Sequence, residues 1–95
     1  MELKYVIVRA QFAGVFAGEL ESRTGTEVVL RNARRLWYWS GAASLSQMAV
    51  EGTKNPENCK FPQEVNRVEL LKAFEILEVT PLARESIKRV PEWKK

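Results

Sequence analysis

The fold turns on EVVLRNARRLWYWS (residues 27–40) and the segment it runs into, GAASLSQMA (residues 41–49). The first half is β-branched and aromatic and predicts a strand. The second half opens a helix, because Ser44-Leu45-Ser46-Gln47 matches a capping box. There the Ser44 hydroxyl takes the Gln47 N–H and the Gln47 side chain reaches back. Leu45, Met48 and Ala49 then fall at helical spacing, and Gly52 ends the helix as a left-handed cap. Such a helix has about two turns, so packing must hold it in place. If the strand is continuous, alternation puts Arg35, Trp37 and Trp39 on one face and Arg34, Leu36 and Tyr38 on the other. A break near Asn32-Ala33 is the alternative.

Upstream, KYVIVRAQF (4–12) reads as a strand with Val6, Val8, Ala10 and Phe12 on one face and Tyr5, Ile7, Arg9 and Gln11 on the other. A turn at Gly14 leads to a returning strand, VFAGELESR (15–23), with Phe16 and Leu20 on one face. Gly18 within it marks a bulge or a close backbone approach. The tight turn Thr24-Gly25-Thr26 makes these three strands an antiparallel meander. Downstream, TKNPENCKFP (53–62) is rich in turn formers and reads as an exposed loop. VNRVELL (65–71) and FEILEV (74–79) are strand-like, although Val68 to Leu77 also fits a helix. Thr80 is an N-cap with Pro81 in the first helical position. Leu82, Ala83, Ser86, Ile87 and Val90 mark one face of that helix, and Pro91 stops it. The expected fold is α+β: a mostly antiparallel β-sheet, as a meander or partly open barrel, with a short helix after the third strand and a C-terminal helix.

Ninety-five residues predict one domain, 1–95. With 45% hydrophobic and 28% charged residues the composition is that of a soluble globular protein. A modest core makes a homo-oligomer a natural way to bury surplus aromatics. The formal charge of +3 is small and spread out, so a weak nucleic-acid binder acting through the sheet face is possible but not favoured. One cysteine and no histidine exclude an internal disulfide, the usual zinc sites and a Ser-His or Cys-His nucleophile pair. A reducing, cytoplasmic setting follows, with no secretion signal and no membrane span expected. No acid, base and nucleophile form a visible set, so neither an enzyme nor a metal or other cofactor is expected.

The residues that could carry recognition lie around the aromatic stretch. Trp37 and Trp39 could stack on a planar ligand, with Arg35 supplying a bidentate fork for phosphate. The plainer reading makes both tryptophans core or subunit-interface residues. Gly41, Ser44 and Ser46 lie where free backbone N–H groups at a helix start attract anions, although Ser44 already has a capping role. Arg9 interrupts an apolar strand and could point into a pocket that Arg35 also lines, or simply pair with Glu19 or Glu21 across the sheet. Lys60, beside Asn55, Asn58 and Cys59, sits in a loop that could close over a ligand. Trp, Tyr and Arg also dominate protein interfaces, so the same stretch fits a module that binds another protein.

YVIVR (5–9), AGVFAGELESR (13–23), EVVLRNARRLWYWSGAASLSQMAVEG (27–52), KNPENCKF (54–61) and VPEWK (90–94) together resemble a family of small phage- and prophage-encoded proteins of unknown function. The likeness spans nearly the whole chain and is most specific from Asn32 to Gly52. Ala10-Gln11-Phe12 departs from it, where relatives tend to be more polar. The resemblance implies a phage origin and no established mechanism. By analogy with phage proteins that sequester the nucleotide signals of bacterial defence, it implies an oligomeric protein that captures a small anionic nucleotide. On that expectation Trp37 and Trp39 stack, Arg9 and Arg35 meet phosphate, and Ser44, Ser46 and Lys60 complete the site.

Overall fold

The computed structural model describes residues 2–94. Its elements are β1 (Tyr5–Ala10), β2 (Gly14–Thr24), β3 (Glu27–Arg35), α1 (Leu45–Glu51), β4 (Val65–Leu70), β5 (Ala73–Glu78) and α2 (Pro81–Arg89), with a short 3-10 turn at Pro56–Asn58. The fold is α+β, as expected. One antiparallel sheet runs in the order β4-β3-β2-β1-β5. Residues 65–79, where strand and helix both fitted, form two strands.

The sheet cannot be flat. β4 and β5 lie at opposite edges, yet only Leu71 and Lys72 join them. The outer strands of a flat five-stranded sheet stand about 19 Å apart. Three Cα steps, from Leu70 to Ala73, reach at most about 11 Å. The sheet therefore curls until its edges meet at that corner and stays open further along. Hydrogen bonds secure the corner to two turns. The Gln11 N–H donates to Lys72 O at 2.9 Å, the Ala73 N–H to Thr26 O at 2.9 Å, and Thr26 Oγ1 to Leu71 O at 3.2 Å.

Strand alternation divides the buried residues between two clusters. Val6, Val8, Ala10, Phe16, Val28, Leu30, Ala33, Leu70 and Ala73 come only from strands, and they fill the concave side of the curl. Tyr5, Ile7, Ala17, Leu36, Met48, Ala49, Cys59, Phe61, Ile87 and Val90 join the convex side to both helices. Phe16 and Leu20 share a face as expected, as do Val6, Val8 and Ala10. Phe12 leaves that face. It sits in the β1–β2 turn at φ 68° with its ring in solvent.

The long strand expected over 27–40 ends at Arg35. Asn32 adopts a left-handed φ of 49°, and the pairing register slips there against Gly18. This is the break near Asn32-Ala33, a bulge that shifts the alternation by one residue. The expected grouping of Arg35 with Trp37 and Trp39 is corrected for a separate reason: all three follow the bulge, but the strand ends at Arg35, so its alternation does not carry on to Trp37 and Trp39. Arg35 now shares the concave side with Ala33 and lies over the Phe16 ring at 4.6 Å. Trp39 packs on the convex cluster beside Leu36. Gly18 makes the bulge possible, because a Cβ there would stand 3.0 Å from Ala33 Cα and 3.1 Å from Arg31 O.

Two further expectations are corrected. The 53–62 segment is not simply an exposed loop: Cys59 and Phe61 are buried in the convex core. Leu82 was expected on the packed face of α2, but it is exposed, while Ala83, Ile87 and Val90 carry the contact.

Candidate functional site

The strand-to-helix connection is held from behind by the 53–59 loop. Gly41, at φ +83°, lets the backbone of that loop lie directly against it, since a Cβ would fall 2.5 Å from Asn55 N. Thr53 Oγ1 donates to Ser40 O, the Lys54 N–H to Gly41 O at 3.2 Å, and the Ser40 N–H to Cys59 Sγ at 3.5 Å. The buried thiol is thus a structural contact within this staple. Ser44 caps α1 as expected, accepting from the Gln47 N–H at 3.1 Å. Gln47 reaches one residue further back than a standard capping box and accepts from the Ala43 N–H at 2.8 Å.

This staple sets Trp39 and the start of α1 beside the ends of β1 and β5. Between them lies a depression of about 440 Å³ lined by Arg9, Val15, Trp39, Ser44, Leu45, Ser46, Glu75 and Leu77. Four of the seven residues expected in a site, Arg9, Trp39, Ser44 and Ser46, meet here. Trp39, Val15, Leu45 and Leu77 supply apolar walls that continue into the core. Arg9 and Glu75 supply the only formal charges of the lining, and they oppose each other. Arg9 Nη1 donates to Glu75 Oε1 at 3.0 Å, and its guanidinium lies 5.0 Å from the centre of the Phe74 ring. Glu75, across the β1–β5 ladder, replaces the Glu19 or Glu21 partner expected for Arg9. No signal in the sequence paired these two, because β5 reaches β1 only through the closure of the sheet.

The other three expected residues lie apart from the depression. Arg35 rests over Phe16. Trp37 is 64% exposed. Lys60 pairs through its backbone with Tyr38, and its ammonium lies 5.8 Å from the Tyr38 ring and 5.6 Å from the Trp93 ring. Together with Trp37, the half-exposed Tyr38 and Trp93 leave three large aromatics in solvent.

A family model, Domain of unknown function (DUF6948), matches residues 3–87. The chain belongs to that family. Comparison with the curated proteins and with the solved structures gave no match. In this DUF6948 chain, no described helix is long and apolar enough to cross a membrane. Among the described residues, no group of three or more Cys, Asp and Glu side chains could hold a metal ion.

Two buried polar groups that the sequence did not single out shape the DUF6948 fold near α2. Arg34, 5% exposed, donates to the carbonyls of Phe61, Ile87 and Val90 at 2.9–3.0 Å and to those of Pro62 and Pro91 at 3.4 Å. Among the described residues no carboxylate pairs with it, and burial draws its pKa down. Tyr5 lies beneath Arg84, whose guanidinium is 4.9 Å from the ring centre. Burial, reinforced by the charge of Glu64, pushes the Tyr5 phenol up to about 12.

Proposed function

We propose that this protein is a non-enzymatic binding protein that sequesters a small nucleotide in the depression between Trp39, Arg9 and the start of α1. The observation that supports this reading is the convergence of Arg9, Trp39, Ser44 and Ser46 from three separate segments onto one apolar-walled hollow. Pockets for small ligands have this composition: mostly apolar walls with a few placed polar groups. An indole wall suits a nucleobase, and such stacking is worth roughly 1–3 kcal/mol per base. Because Glu75 neutralises Arg9, the hollow favours the base over the phosphate. The phosphates then lie at the rim, within reach of the Ser44 and Ser46 hydroxyls.

The phage origin that the resemblance implies directs the first choice of ligand to the cyclic nucleotides of bacterial immune signalling. Isothermal titration against a panel of cyclic di- and trinucleotides and cyclic ADP-ribose isomers tests the proposal. Micromolar binding, with the ligand recovered intact, is expected. No heat with any member at micromolar protein overturns it.

A second reading rests on the exposed aromatics. Trp37, Tyr38 and Trp93 around Lys60 have the composition of an interface hot spot. Under this reading the chain inhibits a partner protein or pairs with a second copy of itself. A specific partner that is lost on Trp37→Ala and retained through nuclease treatment and dialysis supports it.

A further inference from the structure

We infer that the base selected by this depression is guanine. The inference rests on the nucleotide-binding reading above and adds the identity of the base. Arg9 and Glu75 face each other across the β1–β5 ladder and are joined through Nη1 and Oε1 alone. Both side chains are about half exposed, at 45% and 41%, and both line the hollow. The pair therefore offers a row of hydrogen-bonding groups: guanidinium N–H donors beside a carboxylate acceptor with a spare oxygen. No other charge lines the hollow.

Guanine is the base that matches this row most fully. Its Watson–Crick edge carries one acceptor, O6, beside two adjacent donors, N1–H and the N2 amino group. The carboxylate can take both donors, and Arg9 can donate to O6. Adenine, cytosine and uracil each offer a single donor to the carboxylate on that edge. Arginine at O6 is also a favoured guanine contact in base recognition generally. With the base plane against Trp39, the edge is directed at the pair and the sugar and phosphate are left at the open side near Ser44 and Ser46. Arg9 then reads the base, in place of the phosphate contact expected from the sequence.

The test is isothermal titration of the intact chain with GMP, IMP, AMP, CMP and UMP, and with cyclic di-GMP against cyclic di-AMP. Guanine ligands should bind about tenfold or more tighter than adenine ligands, the discrimination of one good bidentate contact. IMP, which lacks the 2-amino group, should fall between them. Glu75→Gln should bring GMP down to the level of IMP or AMP, with an unchanged circular dichroism spectrum. Equal affinity for all bases, a preference for adenine, or a guanine preference that survives Glu75→Gln overturns the inference and leaves the nucleotide-binding reading standing. Absence of binding by every nucleotide overturns both. If the variant does not fold, the GMP-to-IMP ratio of the parent chain decides.

Discussion

Arg34 Nη1 donates to the Val90 carbonyl at 2.9 Å, tying the end of β3 to the end of α2. The same nitrogen serves the Ile87 carbonyl at 3.0 Å, so the guanidinium closes the negative end of the helix dipole. The flat, five-donor head of arginine suits this site, since its targets fan out around one plane. A lysine ammonium reaches fewer of them and is more strongly hydrated. Arg34→Lys should therefore destabilise the protein by about 2 kcal/mol, in the range for leaving buried carbonyls without their hydrogen-bond donors. Urea unfolding measures the loss. A change under 1 kcal/mol would show that the carbonyls do not depend on this residue.

Gly18 and Ala33 meet where β3 bulges. A Cβ on residue 18 would lie 3.0 Å from both Ala33 Cα and Ala33 Cβ. Gly18→Ala should cost about 2 kcal/mol, in the range for overpacking a closed contact. Ala33→Gly in the same chain should recover part of that loss, because the Cα clash remains. Double-mutant-cycle analysis of urea midpoints reads the coupling, and strictly additive costs would place the strain elsewhere.

The fold was legible wherever the signal was local. The capping box, the Thr80-Pro81 helix start and the tight turn at Gly25 each rest on side chains within a few residues of one another. The break near Asn32-Ala33 and the irregularity at Gly18 were each legible alone, but that they face each other in one bulge follows only from the strand pairing. The candidate site was legible in part, for a related reason. Trp39 and Ser44 stand close in the sequence, whereas Glu75 reaches Arg9 only because β5 crosses the open edge to pair with β1. The role of Arg34 was hidden in the same way. Its targets lie 27 to 57 residues away along the chain and are backbone carbonyls, which have no sequence signature.

Tyr5 makes alkaline stability informative. Its phenol titrates at about 12 in the folded protein against an ordinary 10.0, chiefly because burial disfavours the phenolate. A group with a raised folded pKa contributes stability below its unfolded pKa and loses it as pH rises toward the folded one. Stability should thus fall by about 2–3 kcal/mol between pH 10 and pH 12. Tyr5→Phe should flatten that slope. In the Tyr38→Phe background, tyrosinate absorbance should report one late transition. An ordinary titration there would mean that the Tyr5 hydroxyl is freely solvated.

Trp37 and Trp39 are two residues apart and should behave in opposite ways. Trp37 is 64% exposed. Trp39 packs against the convex core and walls the depression. Trp37→Ala should leave stability within about 0.5 kcal/mol of the parent, as for most surface changes. It should also leave nucleotide affinity unchanged. Trp39→Ala should lower stability by about 2 kcal/mol and abolish nucleotide binding, while Trp39→Phe keeps an aromatic face and restores part of both. Thermal melts and titration of the three variants separate the outcomes. If Trp37→Ala abolishes nucleotide binding and Trp39→Phe does not weaken it, the ligand sits on the exposed aromatic strip around Lys60 and not beside Arg9 and Glu75.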